Sequence, residues 1–383
     1  MREDSKVITV ESAIGVSAAL NGNAPALSGL GSCPLPKSDY EHVLLGHGSG
    51  GKLTAELIQG VFLPEFGNKV LGALEDQATL SIGAMTAQTN GAPLPQIAFT
   101  TDSFVVRPLF FPGGDIGKLA VHGTVNDLAV GGAQPLYLSA AFILEEGLPL
   151  ETLRRIVASM RAACEEAGVL LVTGDTKVVD RTTGDQLFIT TSGIGHMPAG
   201  RRLSIHDAQP GDKIIVSGTI GDHGIAIMSV REGIEFETVL ESDCASLHDL
   251  TRVMLDACPS IRCMRDPTRG GVSSAINELA DASNVGVKLQ EDAIPLRTEV
   301  HAACEMLGLD PLYVANEGKL IAVVPSQDAD ALLASMRSHP LGCNAAIIGE
   351  VVADHPGMVV IRSLIGGERL VSLLAGEQLP RIC

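Results

Sequence analysis

Positive charge is scarce in this chain of 383 residues, which has 27 Lys and Arg residues against 45 Asp and Glu residues and a net charge of −18. A nucleic-acid backbone or an anionic membrane is held by clustered basic side chains, so we expect neither as a partner. An acidic protein can still bind a nucleotide when some of its carboxylates hold divalent cations that neutralise the phosphates. The composition therefore directs attention to the carboxylates.

Cysteine is also sparse, with eight residues and no C-x-x-C pair. This density is too low for a disulfide scaffold, and it fits a reducing compartment, so we expect a cytoplasmic protein. Cys258 and Cys263 have no partner pair of Cys or His at ligand spacing, which argues against a zinc site. The uncharged stretches 12–36 and 77–101 are too rich in Gly, Pro, Asn and Ser for a membrane helix, and acids near the N-terminus oppose a secretory signal.

The order of the hydrophobic patterns predicts a mixed α/β (α+β) protein with two domains. Residues 1–40 show little period and are predicted to be a flexible extension. Residues 41–204 and 205–375 each alternate short apolar runs with helical patterns, so we predict an N-terminal and a C-terminal domain. Residues 376–383 are predicted to be a mobile tail, because Pro380 ends any helix. The clearest strands are predicted at 97–99, 169–172, 187–189, 213–216 and 320–324, and the clearest helices at 151–167, where Cys164 joins the core, and at 271–284.

A glycine-rich segment, GHGSGGK at 46–52, comes close to two phosphate-binding patterns. It fails the P-loop pattern because Leu53 replaces the hydroxyl residue that holds Mg²⁺. It matches G-x-G-x-x-G formally, with Glu75 or Asp76 at the spacing of a ribose-binding acid, but this pattern is common and a flexible turn is the alternative. We interpret the segment as a loop whose amides let a phosphate chain approach. The residues assigned to this contact are Gly48, Ser49, Gly50, Gly51 and Lys52.

Acidic residues recur after strand-like runs. Asp102 follows the run 97–101, and Asp175 follows the run 169–172 after two further residues. Carboxylates at strand ends gather at one edge of a sheet, where ligands of α/β proteins commonly bind. One such residue could be a turn former or a helix cap, but several together predict Mg²⁺ that bridges to the phosphates of a nucleotide. The residues assigned to this site are Asp76, Asp102, Asn126, Asp127 and Asp175.

Two segments in the C-terminal half each have two possible interpretations. In RDPTRGGV at 265–272, Asp266 could cap a helix with Pro267 at its first position, or the arginines and glycines could form an anion-binding helix start. Cys383 ends the chain, either by chance or as a reactive thiol on a swinging arm, with an ordinary pKa of about 8.5. Prenylation requires a cysteine four residues from the end and is excluded.

These motifs together resemble the HypE family of hydrogenase expression and formation proteins, which belongs with the aminoimidazole ribonucleotide synthetase and selenophosphate synthetase superfamily. The resemblance runs from about residue 41 to residue 383, and the terminal PRIC singles out HypE within the superfamily. The matching stretches are HGSGGK at 47–52, LEDQA at 74–78, TTDSFVV at 100–106, GTVNDLAVGGA at 123–133, VTGDTKVV at 172–179, RDPTRGGV at 265–272 and NEGKL at 316–320.

The resemblance implies an aminoimidazole ribonucleotide synthetase-like fold, a homodimer built through strands of the N-terminal domains, and the cofactors ATP and Mg²⁺. It implies that a HypF-type carbamoyltransferase places a carboxamide on Cys383 and that this chain dehydrates it to a thiocyanate. The cyanide would pass to iron on a HypC–HypD scaffold for a nickel-iron hydrogenase. Lys177 and Glu317 would handle protons beside the tail, and Asp266 would join the acids that arrange Mg²⁺ and the phosphates. Residues 1–40 have no counterpart in this pattern.

Two other functions stay open. The first is a small-molecule synthetase or kinase of the same superfamily, which would act on a ribonucleotide, selenide or thiamine phosphate. The second is a nucleotide-binding scaffold without chemistry. Neither needs a terminal thiol, so the requirement for Cys383 distinguishes both from the HypE interpretation.

Overall fold

The structure is a computed structural model that describes residues 43–81, 96–181, 184–233, 240–374, 376, 379 and 382–383. The predicted extension, residues 1–40, and Pro380 therefore lie outside the described residues. In the part of the chain that is described, no helix is both long and apolar enough to cross a membrane.

Two sheets and the helices packed on them form a mixed α/β protein, as predicted. The helices are α1 (Lys52–Leu57), α2 (Leu63–Phe66), α3 (Ile116–Val130), α4 (Leu150–Ala167), α5 (Asp222–Glu232), α6 (His248–Ala257), α7 (Gly271–Ala282), α8 (Thr298–Leu307) and α9 (Ala329–Arg337). The strands are β1 (Ala78–Ser81), β2 (Gln96–Phe104), β3 (Phe110–Phe111), β4 (Gly114–Asp115), β5 (Gln134–Glu145), β6 (Leu170–Val179), β7 (Leu187–Met197), β8 (Lys213–Val216), β9 (Cys263–Arg265), β10 (Gly286–Gln290), β11 (Ile321–Val324), β12 (Ala346–Val352), β13 (Val359–Arg362) and β14 (Glu368–Val371).

The first sheet has the strand order β1-β2-β7-β5-β6 and is antiparallel except between β5 and β6. Helix α3 packs on one face of this sheet, which we call the inner face, and α4 packs on α3. The helix begins at Ile116 because the Asp115 carboxylate accepts hydrogen bonds from the amides of Gly117 and Lys118. Cys164 on α4 is buried in the core cluster between these elements, as predicted.

Helix α3 packs closely on β2 at Gly123, where no side chain separates the two elements. A Cβ atom at this position would lie 2.8 Å from the Phe104 ring and 3.8 Å from Oδ2 of Asp102. A larger residue would push the helix away from the strand. The close approach therefore brings the polar residues in the second half of α3 over the inner face of β2.

The other face of the first sheet, the outer face, is open and apolar. One row of paired residues crosses four strands and consists of Phe99, Ile194, Tyr137 and Leu170, which are 38% to 65% exposed. All ten residues of β6 are exposed, and among the described strands β6 pairs with β5 alone. An apolar face beside an open strand edge is a surface that folded proteins normally cover.

The second sheet has the strand order β14-β13-β10-β12-β8-β11-β9 and is antiparallel except between β10 and β13. Helix α7 covers one face through Val272, Ile276 and Leu279. Helices α6 and α9 contribute Leu250 and Leu332 to a separate core cluster that also contains β11 residues. The strands predicted at 213–216 and 320–324 correspond to β8 and β11.

Three predicted positions need correction. Asp102 and Asp175 do not follow strands but lie inside β2 and β6, which continue beyond the apolar runs. Asp266 does not cap α7, because the helix begins at Gly271 and its N-cap is Gly270, with φ of 76°. A turn that requires positive φ at two successive residues is accessible to glycine, and this requirement outweighs the proline signal four residues earlier.

Candidate active site

The inner face of β2 and the adjacent turns of α3 bring acids together. Asp127 on α3 accepts a hydrogen bond of 2.7 Å from the Thr100 hydroxyl on β2, which also lies 3.0 Å from the backbone oxygen of Asp76. Asp102 points to the same face because its paired residue, Thr191, is fully buried there. The gathering thus occurs between a sheet face and a helix, and not at a sheet edge as predicted.

Asp76 is tied to the second half of the chain by Arg265. The Arg265 Nε atom lies 3.0 Å from Oδ1 of Asp76, and Nη2 of the same guanidinium lies 2.6 Å from Oε2 of Glu278. Burial raises the pKa of Asp76 to about 8, against the opposing charge of Arg265. The positive charge of Arg265 therefore does not offset the effect of burial on the pKa of Asp76.

The remaining acids of the cluster repel one another. Burial raises the pKa of Asp266 to about 6, although Arg265 opposes this rise. The pKa of Asp127 is raised well above its ordinary value, first by burial and then by Asp266, Asp102 and Asp76. Burial also raises the pKa of Asp102, against Arg269. The four acids are thus close enough to interact, as the strand-end pattern predicted for Asp76, Asp102 and Asp127 and the family resemblance implied for Asp266.

The donor set fits Mg²⁺ that is shared with a polyphosphate. Among the described residues, no group of three His, Cys, Asp or Glu side chains could hold a metal ion by itself. Mg²⁺ in nucleotide sites is commonly held by one or two carboxylates together with phosphate oxygens and water, so a complete protein cage is not required. A cation placed among these acids would remove the repulsion that adds to burial in raising the pKa of Asp127.

The glycine-rich loop packs against Arg269. Nη1 of Arg269 donates a 3.0 Å hydrogen bond to the backbone oxygen of Gly48. Gly50 has φ of +73°, and a Cβ atom there would lie 2.8 Å from the backbone oxygen of Arg269. Gly51 is the N-cap of α1, and the Lys52 side chain is half exposed and lies 3.7 Å from Glu56. The loop and Arg269 are therefore in direct contact, and both contribute residues to the wall of a cavity.

This cavity has a volume of about 330 Å³ and ends at the C-terminus. Gly48, Ser49 and Arg269 line it together with Ile382 and Cys383. Gly50, Gly51 and Lys52, which were predicted to contact phosphate, are not among its lining residues. Ile382 is 4% exposed and Cys383 is 8% exposed, so the end of the predicted mobile tail is docked in the core.

The Cys383 thiol lies beside the Glu317 carboxylate, close enough for each group to shift the pKa of the other. Burial raises the pKa of Glu317 well above its usual range, with further contributions from Asp102, Asp243 and Asp266. The pKa of the Cys383 thiol is also raised well above its ordinary value, by burial first and then by Glu317. Oε1 of Glu317 is buried and has no hydrogen-bond partner among the described residues. Burial therefore favours the protonated forms of both groups.

Asn126 holds the backbone near Glu317. Its Nδ2 atom donates to the backbone oxygens of Ala245, at 3.0 Å, and of Glu317, at 3.2 Å. Its Oδ1 atom accepts from the amide of Leu247 at 2.8 Å. Both amide protons of the side chain are used in these contacts. The structure thus gives Asn126 a structural role where the sequence predicted contact with the nucleotide or its metal.

Asp175 and Lys177 do not join this site within one chain. Asp175 pairs with Ala141 and Lys177 pairs with Ile143, and both partners are exposed on the outer face of the sheet. Asp175 is separated from Asp102 by three strand spacings, about 14 Å at ~4.8 Å each. Nζ of Lys177 lies 3.0 Å from the Asp175 carboxylate. The expectation that Asp175 gathers with the other acids is therefore wrong for a single chain.

Several residues of the site carry no signal in the sequence. Glu278 lies inside helix α7, and His223, Ser242 and Asp243 lie in segments without any recognisable motif. Asp243 and His223 contact residues far away in the chain, Glu317 and Ile382 respectively. Only the fold brings these pairs together.

Family models for AIR synthase related proteins match both halves of the chain. The N-terminal domain model matches residues 76–197, and the C-terminal domain model matches residues 209–361. The two sheets, and the acid cluster and glycine-rich loop near the cavity, define a protein of this class.

Closer relatives identify the family within the class. Carbamoyl dehydratase HypE of Cupriavidus necator is 55% identical over 339 residues, which cover 88% of this chain and 94% of the relative. The chain belongs to the HypE family of carbamoyl dehydratases. A crystal structure of a HypE–HypF complex matches with a TM-score of 0.76 and 47% identity, covering 83% of this chain and 99% of the other. A crystal structure of HypE in complex with ATP matches with a TM-score of 0.73 and 47% identity, covering 89% and 100% of the two chains.

Proposed function

We propose that this protein uses ATP to dehydrate a carboxamide on its own Cys383 thiol to a thiocyanate, which supplies cyanide for the iron centre of a nickel-iron hydrogenase. The observation that carries the proposal is the docking of the C-terminal thiol against Glu317, in a cavity bordered by the glycine-rich loop and Arg269. The HypE name of the relatives supports the same activity.

The chemistry follows from the leaving group. The oxygen of S–C(=O)–NH₂ leaves poorly, and phosphorylation of this oxygen by the γ-phosphoryl group of ATP converts it into a good leaving group. Loss of both nitrogen protons and of phosphate, with the sulfur bond retained, then gives S–C≡N, ADP and inorganic phosphate. We assign the removal of a nitrogen proton to Glu317, because its raised pKa makes the carboxylate a stronger base and its buried Oε1 atom has no hydrogen-bond partner among the described residues.

The acid cluster is assigned to the phosphates. Asp76, Asp102, Asp127 and Asp266 would hold Mg²⁺, which supplies charge neutralisation for the transferred phosphoryl group. Arg269 is placed to hold a phosphate oxygen near the thiol, because its guanidinium borders the cavity and contacts the loop at Gly48. The ATP complex of a similar HypE supports ATP as the nucleotide.

The docked tail suits the dehydration and not the loading of the carboxamide. A thiol whose pKa is raised well above the ordinary value has very little thiolate at neutral pH, and the thiolate is the nucleophile. We therefore propose that a HypF-type carbamoyltransferase modifies Cys383 while the tail is released, as the HypE–HypF complex of a relative suggests. Transfer of cyanide to a HypC–HypD scaffold would follow in the same released state.

We also propose a homodimer, which the apolar outer face and the open edge of β6 support. A second copy on this face would cover Asp175 and Lys177, so any catalytic role of Lys177 depends on that copy.

The domain division at about residue 205 is proposed because the two sheets and the two family models lie on opposite sides of it. A cytoplasmic location is proposed because the cysteines among the described residues are free thiols.

Intact mass spectrometry tests the proposed activity. The protein is incubated with its carbamoyltransferase, carbamoyl phosphate and ATP, and wild type is compared with Cys383→Ala. We expect wild type to gain the mass of one HNCO unit and then to lose the mass of one water when ATP is consumed, whereas the variant gains neither. Wild type that acquires no adduct from a demonstrably active carbamoyltransferase would disprove the proposal and favour a synthetase that acts on a free substrate.

A further inference from the structure

His223 contacts the C-terminal tail through its backbone. Nε2 of the ring lies 2.8 Å from the backbone oxygen of Ile382, and Nδ1 lies 2.8 Å from Oγ of Ser242. A carbonyl oxygen can only accept, so Nε2 carries the proton and Nδ1 accepts from the Ser242 hydroxyl. Oγ of Ser242 in turn accepts a 3.1 Å hydrogen bond from the amide of Cys244. Each group in this series of hydrogen bonds, from the Cys244 amide to the Ile382 carbonyl, donates to the next. The neutral His223 ring must therefore carry its proton on Nε2.

The ring is also held in place by its surroundings. His223 is fully buried, and the Phe111 ring meets it edge to face, with a centroid distance of 5.5 Å and an interplanar angle of 88°. Burial lowers the pKa of His223, which agrees with a neutral ring. The amide of Ser242 donates to the backbone oxygen of Pro112 at 2.8 Å. The ring of His223 is therefore held by contacts with Phe111 and Ser242 as well as by the tail.

Asp243, the residue after Ser242, positions Glu317, which is the second residue that contacts the tail. Oδ1 of Asp243 accepts a 3.0 Å hydrogen bond from the amide of Glu317, and Oδ2 lies 3.4 Å from Nζ of Lys319. Glu317 is the residue that meets the Cys383 thiol. Ser242 therefore orients His223, which binds the carbonyl of Ile382. The adjacent Asp243 holds Glu317, which faces the Cys383 thiol.

We propose that His223, oriented by Ser242, is a positioning residue that docks the tail and sets the alignment of Cys383 with Glu317. The proposal rests on the proposed function, in which the tail must leave for loading and return for dehydration. The hydrogen bond to the carbonyl of Ile382 then determines how much of the protein holds its tail docked. His223 itself touches neither the reacting carbon nor the nucleotide.

The rate at which Cys383 is alkylated in the native full-length protein measures this docking without any activity assay. Native protein is pulsed with iodoacetamide, quenched and digested with a glutamate-specific protease, and the C-terminal peptide Gln378–Cys383 is quantified by mass spectrometry. We expect Ser242→Ala to label about five times faster than wild type, the change that follows from the loss of one hydrogen bond of typical net strength. We expect His223→Ala to label at least as fast.

The chain offers a matched control in the same segment. Oγ of Ser246 forms a 2.8 Å hydrogen bond with Nδ1 of His248, a pair of the same kind that does not reach the tail. Ser246→Ala should label Cys383 at the wild-type rate. His223→Gln, which keeps a donor near the position of Nε2, and Ser242→Thr, which keeps the hydroxyl, should both label more slowly than the alanine variants.

Equal labelling rates for Ser242→Ala and Ser246→Ala would overturn the proposal, as would wild type that already labels as fast as a free peptide of the same sequence. If His223→Ala fails to fold, Ser242→Ala leaves the ring in place and still decides the matter. Fast labelling of Ser242→Ala together with a wild type that acquires no carboxamide would support the docking role and disprove the proposed activity, so the two failures are distinguishable.

Discussion

Asp266 links the proposed metal site to the stability of the fold, and Asp266→Asn tests this link. Burial raises the pKa of Asp266 from its ordinary value of 3.8 to about 6 in the folded protein. Between these values the folded state binds more protons than the unfolded state, so the stability of the wild type falls as pH rises. Below pH 3.8 this loss is absent, and above about pH 6 it is complete.

The magnitude follows from the two pKa values. The difference between about 6 and 3.8, at about 1.4 kcal/mol for each pKa unit, limits the loss to about 3 kcal/mol. Asparagine has no proton to lose, so this part of the pH dependence disappears in the variant. The free energy of unfolding of Asp266→Asn should therefore exceed that of wild type by an amount that grows from about pH 4 to pH 6 and is constant above.

Urea unfolding at several pH values between 4 and 8, without divalent cations, measures this difference. Asp354→Asn, at an exposed carboxylate, serves as the control and should show no such trend. Addition of Mg²⁺ and ATP should stabilise wild type more than Asp266→Asn, because the cation relieves the repulsion that the carboxylate suffers. A pH-independent difference would refute the assignment of the raised pKa, and equal stabilisation by Mg²⁺ and ATP would refute the role of Asp266 in holding the cation.

Two further predictions concern the reaction and the assembly. Glu317→Gln should load the carboxamide on Cys383 normally but lose dehydration by about 10²- to 10⁴-fold, the usual contribution of a general base, as measured by the loss of water mass; normal dehydration would exclude Glu317 as the base. Ile194→Lys should weaken the homodimer by about a hundredfold, because it buries an unpaired ammonium in the apolar row of the outer face. Light scattering over a concentration series checks this, with Ile365→Lys, at a residue that is 97% exposed, as a control that should leave the mass unchanged.

The sequence predicts elements and residue types well where the signal is local. Apolar runs located β8 and β11, and the helical period of residues 151–167 located α4 with Cys164 in the core. Of the acids that the strand-end pattern predicted to gather, Asp76, Asp102 and Asp127 interact in the structure, together with Asp266, which only the family resemblance implied.

The sequence does not predict which face of a strand a residue occupies when the strand is exposed on both sides. Asp175 lies on β6, where no alternation of polar and apolar residues distinguishes the faces. Its orientation is set by pairing with β5, which shifts register between Leu138 and Ser139. A shift of one residue reverses the direction of every later side chain, and no local pattern encodes it.

Local sequence patterns also could not predict the contact between His223 and the tail. His223 and Ile382 are separated by 159 residues, and the hydrogen bond between them depends on the docking of the chain end. Pro380 predicted a mobile tail because proline ends a helix. This local signal carries no information about the surface on which the tail docks. The docking surface is built from Phe111, Ser242 and their neighbours, which have no sequence relation to the tail.

The docked position of Cys383 has a consequence for its chemical survival. Peroxides and other oxidants attack the thiolate and not the thiol, and burial against Glu317 leaves little thiolate while the tail is docked. A terminal cysteine on a free arm would be converted to sulfenic and then sulfinic acid, and the second step cannot be reversed in most proteins. The proposed return of the tail between cycles would therefore protect the Cys383 sulfur, and oxidative damage should accumulate in proportion to the time that the tail spends undocked.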